Sequence, residues 1–284
     1  MTTIAVTGAS GFVGRHVLAV LAQTRADVVA HRRTLAADRA TMEWPRWCAF
    51  DLADSSDAFA RLGEPDIVIH LAWEGLPNYQ SSRHVDVELP RQLAFLRSLA
   101  ESGLKRLVVA GTCFEYGMQS GCLREDAVAA PANPYGIAKD RLRQELESLT
   151  AELAFDLHWL RLFYLYGSGQ GAGSLHSLFT AAVARGERMF DMSPGDQVRD
   201  FMPVEDAAAA IVAVATAPQP PALLNVCSGE PVTVRSLVER WRAGLAADIE
   251  LRLGALPYPA HEPFAFWGDN TRLRAVLGRQ EDPD

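Results

Sequence analysis

A tyrosine and a lysine four residues apart form the pair in this sequence that is best suited to acid–base chemistry. Asn133 is a good N-terminal cap and Pro134 a good first helical residue, so a helix is predicted to begin there. Tyr135 and Lys139 then lie on one face of that helix, within mutual reach. The ammonium group and the positive end of the helix are expected to lower the normally high pKa of the phenol. Such a tyrosine can donate or accept a proton near neutral pH.

Thr112 is a candidate third member of this site. It follows residues 105–110, an apolar run that predicts a buried strand. Ligands of open α/β sheets bind at the carboxyl edge of the strands, which is where Thr112 is expected to lie. A Tyr-x-x-x-Lys spacing alone is common on helix surfaces, so the assignment depends on the other motifs of the chain.

The first stretch of the chain predicts a binding site for a pyrophosphate. Residues 4–7 are an apolar, β-branched run typical of a buried strand, and a helical pattern begins a few residues later. Gly8 suits the tight turn, Gly11 allows close approach of a ligand and Gly14 allows close helix packing. The N–H groups at the helix start would face the pyrophosphate. The alternative is a glycine-rich turn without a ligand, and the flanking strand and helix argue against it.

The end of the second predicted strand, residues 27–31, indicates which dinucleotide binds. Enzymes selective for NAD usually carry an acidic residue there, which accepts hydrogen bonds from the ribose. This chain has Arg32 and Arg33, and a guanidinium pairs well with a 2′-phosphate, so NADP(H) is favoured over NAD(H). A solvated basic loop is the alternative. Asp51, followed by Leu52, closes the third predicted strand and either accepts from the adenine amino group or forms a turn.

The elements that must position these residues alternate between strand and helix. Leucines keep roughly helical spacing over residues 87–101. Continuous apolar strands separated by helices predict a doubly wound parallel sheet of the α/β class, covered on both faces. The predicted strands are residues 4–7, 27–31, 47–50, 66–72, 105–110 and 155–163.

Composition excludes several functions for this chain of 284 residues. A formal net charge of −8 argues against a nucleic-acid partner. The N-terminus enters a strand directly and the longest apolar run, residues 207–217, is too short to cross a bilayer, so a cytoplasmic location without membrane contact is expected. The four cysteines are scattered without metal-ligand spacing, and no metal is expected. Residues 281–284 are predicted to be disordered.

The sequence resembles the extended short-chain dehydrogenases/reductases, in particular the nucleotide-sugar epimerase/dehydratase group, over nearly its whole length. The matching stretches are residues 7–14, Asp51-Leu52, His70-Leu71-Ala72, residues 111–117, Pro134-Tyr135-Gly136-Ile137-Ala138-Lys139, residues 161–167, residues 199–206 and Asn225-Val226-Cys227-Ser228-Gly229.

The resemblance implies a role for each of these motifs. Thr112, Tyr135 and Lys139 would be the catalytic set, with Lys139 also holding the nicotinamide ribose. Arg199 would contact the pyrophosphate of a nucleotide-sugar substrate, and Trp73, Thr112 and Tyr164 would contact the same substrate. The implied cofactor contacts are Gly8, Ser10, Gly11, Phe12, Val13, Gly14, Arg32, Arg33, Asp51, Leu52, Leu71, Ala72, Tyr135, Lys139 and Phe163.

Departures from the family pattern narrow the expected activity. The 4,6-dehydratases carry an Asp-Glu pair directly after the catalytic threonine, whereas this chain has Cys113 and Phe114, and phenylalanine transfers no proton. Trp73 replaces a common glycine, and Tyr164 replaces an asparagine that touches the sugar nucleotide in many epimerases. Residues 257–263 lack an arginine often found there, which leaves Arg199 as the clearer phosphate ligand.

These observations predict a Rossmann-type domain over residues 1–163 and a smaller C-terminal substrate lobe over residues 164–284, with segments that return to the first domain. The predicted activity is NADPH-dependent reduction of a nucleotide-activated 4-keto-6-deoxy sugar, with Tyr135 as proton donor. A redox-neutral nucleotide-sugar epimerase is the alternative. A third hypothesis is a non-catalytic NADP-sensing protein, although such proteins generally lose the tyrosine or the lysine of the catalytic pair, and this chain has both. Family analogy predicts a homodimer.

Overall fold

Strands and helices alternate along the chain in the computed structural model, which describes residues 1–34, 44–258 and 263–278. The strands are β1 (Thr3–Thr7), β2 (Asp27–Arg32), β3 (Arg46–Ala49), β4 (Ile67–His70), β5 (Arg106–Thr112), β6 (Gly121–Leu123), β7 (Asp156–Leu162), β8 (Tyr164–Tyr166), β9 (Met189–Met192), β10 (Val198–Pro203), β11 (Leu223–Val226), β12 (Pro231–Thr233), β13 (Glu250–Leu253) and β14 (Phe266–Gly268). The helices are α1 (Phe12–Leu21), α2 (Ala58–Arg61), α3 (Leu89–Glu101), α4 (Pro134–Thr150), α5 (Leu175–Ala184), α6 (Val204–Thr216), α7 (Val234–Gly244) and α8 (Thr271–Val276).

A seven-stranded sheet forms the centre of the protein, with the strand order β11-β7-β5-β4-β1-β2-β3. Its neighbouring strands all run parallel, and the order reverses after β1, between β2 and β4. This is the doubly wound α/β fold that the apolar strand runs predict, and the prediction is confirmed. Three smaller sheets, β12-β10-β8, β13-β9 and β14-β6, lie outside it.

Alternate residues of each central strand enter two separate cores, one on each face of the sheet. In β1, Ile4 and Val6 pack with α1, α6 and α8, whereas Ala5 packs with α2, α3 and α4. Both sets are buried because helices cover both faces, which explains why the strands are apolar without polar alternation. This packing fixes the carboxyl edge of the sheet, where the predicted site residues lie.

Several predicted boundaries differ from the observed ones. β5 continues to Thr112, which pairs with Leu162 of β7, so Thr112 ends the strand and does not follow it. β3 ends at Ala49, before Asp51. The first two residues of the predicted helix over residues 87–101 belong to a π-helical turn, His84–Glu88, and α3 begins at Leu89. The turn was missed because two of its buried residues are polar and add nothing to an apolar pattern.

The C-terminal part of the chain supplies both the smaller sheets and one strand of the central sheet. β11 pairs with β7 at the edge of the seven-stranded sheet. The return of C-terminal segments to the first domain stays a prediction. The boundary between residues 163 and 164 stays a prediction. The homodimer also stays a prediction. The helices that family analogy places between two subunits are α3 and α4, which pack against each other within this chain.

In the described part of the chain, no helix combines the length and the apolar character that a membrane span requires. The same residues contain no group of three His, Cys, Asp or Glu side chains arranged to hold a metal ion. The predicted disorder of residues 281–284 lies outside the described residues, as do positions 259–262 of the stretch that lacks an arginine.

Candidate active site

The glycine turn between β1 and α1 is shaped to receive a phosphate group. Gly8 has a φ of +67°, and a Cβ atom there would lie 2.8 Å from the backbone nitrogen of Ala72. A side chain at Gly14 would collide with the Gly8 carbonyl. Gly11 caps α1 without a side-chain hydrogen bond, and the first turn of α1 holds no acidic residue. Its N–H groups are therefore suited to bind an anion, and the residues present fit the pyrophosphate of a dinucleotide.

A cavity of about 250 Å³ lies on one side of this turn, between the ends of β2 and β4. Asp51 is not among the residues that line this cavity. Its carboxylate accepts from the Ala53 backbone at 2.9 Å and pairs with Arg91. Arg33 points its guanidinium at Glu74, with 2.5 Å between Nη1 and Oε1. The predicted cofactor contacts that line the cavity are Gly8, Ser10, Gly11, Arg32, Arg33, Leu52, Leu71 and Ala72.

A second cavity, of about 270 Å³, lies on the other side of the α1 N-terminus and contains the predicted catalytic set. Phe12 and Val13 line this cavity, whereas Ser10 and Gly11 line the first, so the helix start separates the two. A dinucleotide spanning both would have its pyrophosphate at the helix start. The other predicted site residues at the second cavity are Leu71, Trp73, Thr112, Tyr135, Lys139, Phe163 and Tyr164.

The helix that carries Tyr135 and Lys139 begins as the sequence predicts. The side chain of Asn133 accepts from the Gly136 backbone at 2.8 Å, and Pro134 is the first helical residue. Lys139 reaches under the sheet edge, where its Nζ donates to the Ala110 carbonyl at 2.8 Å. The same Nζ lies 6.0 Å from the centre of the Tyr135 ring. The predicted cap is confirmed, and the two side chains are brought to one site.

The hydroxyl of Thr112 faces the same site. Its Oγ accepts from the Phe114 backbone at 3.3 Å, so the hydroxyl hydrogen remains available for another acceptor. A hydrogen bond with this hydroxyl acts to lower the pKa of the Tyr135 phenol, against the larger effect of burial. Thr112, Tyr135 and Lys139 thus all line the same cavity.

The pKa of Tyr135 is raised above its ordinary value, contrary to the expectation from sequence. Burial is the main cause, and the charges of Tyr79, Glu115 and Cys113 act in the same direction. Burial also lowers the pKa of Lys139 to about 7, against the opposing effect of the Glu115 and Glu88 carboxylates. The expectation of a lowered phenol pKa is therefore wrong for this structure, because burial has the largest effect on Tyr135. The phenol is protonated at neutral pH and has a proton to donate.

Glu115 is a structural residue beneath the site. Its Oε1 accepts from the Thr112 backbone and from Trp159 Nε1, each at 2.9 Å, and its Oε2 accepts from Arg161 Nε at 2.7 Å. Both members of the ion pair with Arg161 are buried. The sequence leaves open whether Glu115 binds a sugar hydroxyl, and these contacts decide for the structural role.

The walls of the second cavity are mostly apolar and aromatic. Phe114 and Cys113 lie where the dehydratases have their acid pair, and no Asp or Glu lines this cavity among the described residues. Tyr79 packs between Phe114 and Tyr135, with ring centres 4.8 and 5.5 Å away respectively. The cavity therefore offers a proton donor but no carboxylate that could remove a proton.

A larger cavity, of about 780 Å³, adjoins the second one and extends between α5, α7, β9 and β10. The two share Tyr79 and Tyr164 among their lining residues. Arg199 lines the larger cavity from β10, buried, with its Nη1 donating to the carbonyls of Val198 and Phe264 at 2.9 and 3.0 Å. Its guanidinium carbon lies 4.8 Å from the centre of the Phe266 ring. The cavity is large enough for a ligand of nucleotide size.

The hydrogen bond that holds Trp73 in place was not predicted from the sequence. Its Nε1 donates to Nδ1 of His84 at 3.0 Å, and Nε2 of His84 lies 2.9 Å from the Asn78 carbonyl, which fixes the neutral ring with hydrogen on Nε2. The Trp73 ring faces Nζ of Lys139 at 4.0 Å. His84 has no metal-ligand spacing and no recognised motif around it, so only the fold reveals this contact.

Cofactor-sized space along the carboxyl edge of a doubly wound sheet, ending at a tyrosine and a lysine, is typical of dinucleotide-dependent oxidoreductases. Comparison with protein families narrows this class. Residues 4–227 match the model of the NAD dependent epimerase/dehydratase family, so the chain belongs to that family and the resemblance inferred from the motifs is confirmed. Its members are NAD(P)-dependent enzymes that act on nucleotide sugars.

Two curated relatives are similar over most of the chain. The dTDP-6-deoxy-L-talose 4-dehydrogenase (NAD(+)) of Aggregatibacter actinomycetemcomitans is 29% identical over 93% of this chain and 98% of its own length. The dTDP-6-deoxy-L-talose 4-dehydrogenase (NAD(P)(+)) of Kitasatospora kifunensis is 31% identical over 83% of this chain and 77% of its own. Among solved structures, MoeE5 in complex with UDP-glucuronic acid and NAD superimposes with a TM-score of 0.82 at 25% identity, covering 99% of this chain and 94% of MoeE5.

Proposed function

We propose that this protein is an NADPH-dependent reductase of a nucleotide-activated 4-keto-6-deoxy sugar. The observation that carries the proposal is that Thr112, Tyr135 and Lys139 line one cavity in which the described part of the chain places no carboxylate. A site that holds a protonated phenol and no carboxylate among its described lining residues suits addition of a proton to a carbonyl oxygen. Two relatives whose names include 6-deoxy sugars and oxidation at carbon 4 support the same substrate class.

The residues of the chain would divide the work as follows. NADPH, when bound, would supply the hydride for the keto carbon. The hydroxyl of Thr112 donates a hydrogen bond to the keto oxygen and fixes its position. Tyr135 donates its proton to that oxygen as negative charge develops there. Lys139 binds the nicotinamide ribose and, when charged, stabilises the tyrosinate that remains.

The shape and polarity of the cavities support the choice of sugar. Phe114, Tyr79 and Trp73 surround Tyr135 with rings, which suits the methyl group of a 6-deoxy sugar and disfavours a carboxylate at the same position. The larger cavity would take the nucleotide, with Arg199 as the ligand of its pyrophosphate. Because Phe114 has no proton to transfer and neither Phe114 nor Cys113 supplies the carboxylate of an acid pair, we expect no 4,6-dehydration of a nucleotide hexose.

NADP(H) is the proposed cofactor because Arg32 and Arg33 line the first cavity at the end of β2. A 2′-phosphate between two guanidinium groups forms charge-assisted hydrogen bonds that the ribose of NAD does not. We expect NADPH to bind about tenfold more tightly than NADH, equivalent to about 1.4 kcal/mol. The substitution Arg32→Asp should erase this preference, as measured by quenching of protein fluorescence on titration with each cofactor. Equal affinities in the unsubstituted protein would contradict the 2′-phosphate site.

Stoichiometry tests the reductase against the epimerase. Nucleotide 4-keto-6-deoxy sugars would be incubated with the protein and NADPH, with NADPH followed by its absorbance and sugars by chromatography. One NADPH oxidised per sugar converted is the expected result. Conversion at catalytic cofactor with no net NADPH loss would assign the redox-neutral epimerase. Cofactor binding without conversion of any sugar in the panel would favour the NADP-sensing protein.

A further inference from the structure

Glu74 is an acidic residue that reaches the first cavity from a part of the chain far from Arg33. It follows β4 and lines the cavity together with Arg32, Arg33 and Arg91. Its Oε1 lies 2.5 Å from Nη1 of Arg33. The Glu74 side chain is 33% exposed and that of Arg33 is 61% exposed, so the pair lies at the mouth of the cavity and not in the core.

Two more arginines surround the same carboxylate. Nη1 of Arg91 lies 3.3 Å from Oε1 of Glu74, and Nη2 of Arg83 lies 3.6 Å from its Oε2. Arg91 also pairs with Asp51 and with buried Glu88, and Arg83 pairs with Glu88 as well. We call these six residues the Glu74 cluster, whose members are Arg33, Arg83, Arg91, Asp51, Glu74 and Glu88.

The charges of the Glu74 cluster balance before any ligand binds, since it contains three guanidinium groups and three carboxylates. A 2′-phosphate carries about −1.5 to −2 charges at neutral pH. To bind the phosphate, Arg33 has to break its ion pair with Glu74, or its guanidinium has to contact two anions that repel each other. A ribose 2′-hydroxyl meets no such repulsion, because it can donate a hydrogen bond to the carboxylate.

We propose that Glu74 is a specificity-determining residue that limits the preference for NADP(H) and keeps NAD(H) usable. This inference rests on the proposed 2′-phosphate site of Arg32 and Arg33. Among the ion pairs of the described residues, none includes Arg32, so its guanidinium can meet the phosphate without exchanging a carboxylate. Arg33 is the second ligand, and Glu74 competes with the phosphate for it. Removing the charge of Glu74 therefore strengthens binding of a 2′-phosphate and not of a 2′-hydroxyl.

Two nucleotides that differ only in the 2′-phosphate give a test that needs no catalysis. Adenosine 2′,5′-bisphosphate and adenosine 5′-monophosphate would be titrated by calorimetry into the protein and into Glu74→Gln. We expect Glu74→Gln to raise the affinity for the bisphosphate about three- to tenfold and to change that for the monophosphate less than twofold. Glu239→Gln is the matched control, since it removes one carboxylate from an exposed ion pair with Arg235 on α7, and it should change neither affinity.

The effect must act through Arg33. In an Arg33→Gln background, the further substitution Glu74→Gln should raise the bisphosphate affinity less than twofold. An equal change for both nucleotides, or a loss of bisphosphate affinity in Glu74→Gln with an unchanged thermal midpoint, would overturn the role of Glu74. The NADP proposal is judged separately by the unsubstituted protein, because it fails if bisphosphate and monophosphate bind equally there. The Glu74 proposal fails if their affinity ratio does not rise in Glu74→Gln.

Discussion

The buried ion pair beneath Thr112 allows a prediction of stability with a defined magnitude. In Glu115→Gln the remaining oxygen still accepts from the Thr112 backbone and from Trp159, but the new amide nitrogen faces Arg161 Nε, which is also a donor. The buried guanidinium then lacks its counter-charge at a contact that measures 2.7 Å. Breaking such a pair costs about 3–5 kcal/mol, a large share of the roughly 5–15 kcal/mol that stabilises an ordinary domain.

Chemical denaturation measures this cost. We expect Glu115→Gln to lower the midpoint of urea unfolding without a change in slope, which corresponds to the loss given above. Glu147→Gln is the control, because it breaks an ion pair of the same 2.7 Å length, with Arg143 on α4, where the glutamate is 47% exposed. That change should cost no more than about 1 kcal/mol. Equal losses of free energy of unfolding in the two variants would refute the reasoning from burial.

Three further predictions concern the site and its surroundings. Tyr135→Phe should leave NADPH affinity nearly unchanged and lower turnover by about 10²–10⁴-fold. Lys139→Met should lower both the NADPH affinity and the turnover. Full activity of Tyr135→Phe in the absorbance assay would contradict the role of Tyr135 as proton donor. Arg199→Ala should raise the Michaelis constant for the sugar nucleotide much more than it lowers turnover, and an unchanged constant would exclude the pyrophosphate contact. Burial holds the pKa of His70 at about 3, below its ordinary 6.5, so the stability that neutral His70 contributes above pH 6.5 is lost as the pH falls. The free energy of unfolding should then decrease by up to about 1.4 kcal/mol per pH unit. His70→Gln should reduce this dependence in urea titrations between about pH 6.5 and 5.

The parts of the fold that depend on local sequence were predicted well. Strands of a covered parallel sheet must be apolar on both sides, so runs such as β1 and β7 stand out from the helices between them. The cap at Asn133 was equally visible, because it depends on residues within one turn. The end of β5 was not visible, since Thr112 joins the strand by pairing with Leu162, fifty residues later in the chain.

The fold brings the predicted catalytic residues to one cavity, but the sequence did not predict their electrostatics. Thr112, Tyr135 and Lys139 belong to motifs with fixed spacing, and the fold brings them together. The pKa of Tyr135 could not be predicted, because its burial depends on packing against Tyr79 and Trp73. Glu74 was overlooked for a similar reason, since its pairing with Arg33 joins residues that are 41 positions apart.

The position of β11 has a consequence for the order in which the protein folds on the ribosome. Until residues 223–226 leave the exit tunnel, β7 presents an unpaired edge, and such edges invite aggregation. The turn that follows Thr112 is also incomplete until then, because Tyr116 donates to the Asn225 side chain at 2.7 Å and the Asn225 backbone donates to Glu125 at 3.0 Å. A nascent chain that ends at residue 163 therefore lacks both its edge strand and the contacts of Asn225 with Tyr116 and Glu125. Pairing between strands that are far apart in the sequence makes folding slow. The edge of β7 therefore stays exposed to aggregation until β11 pairs with it.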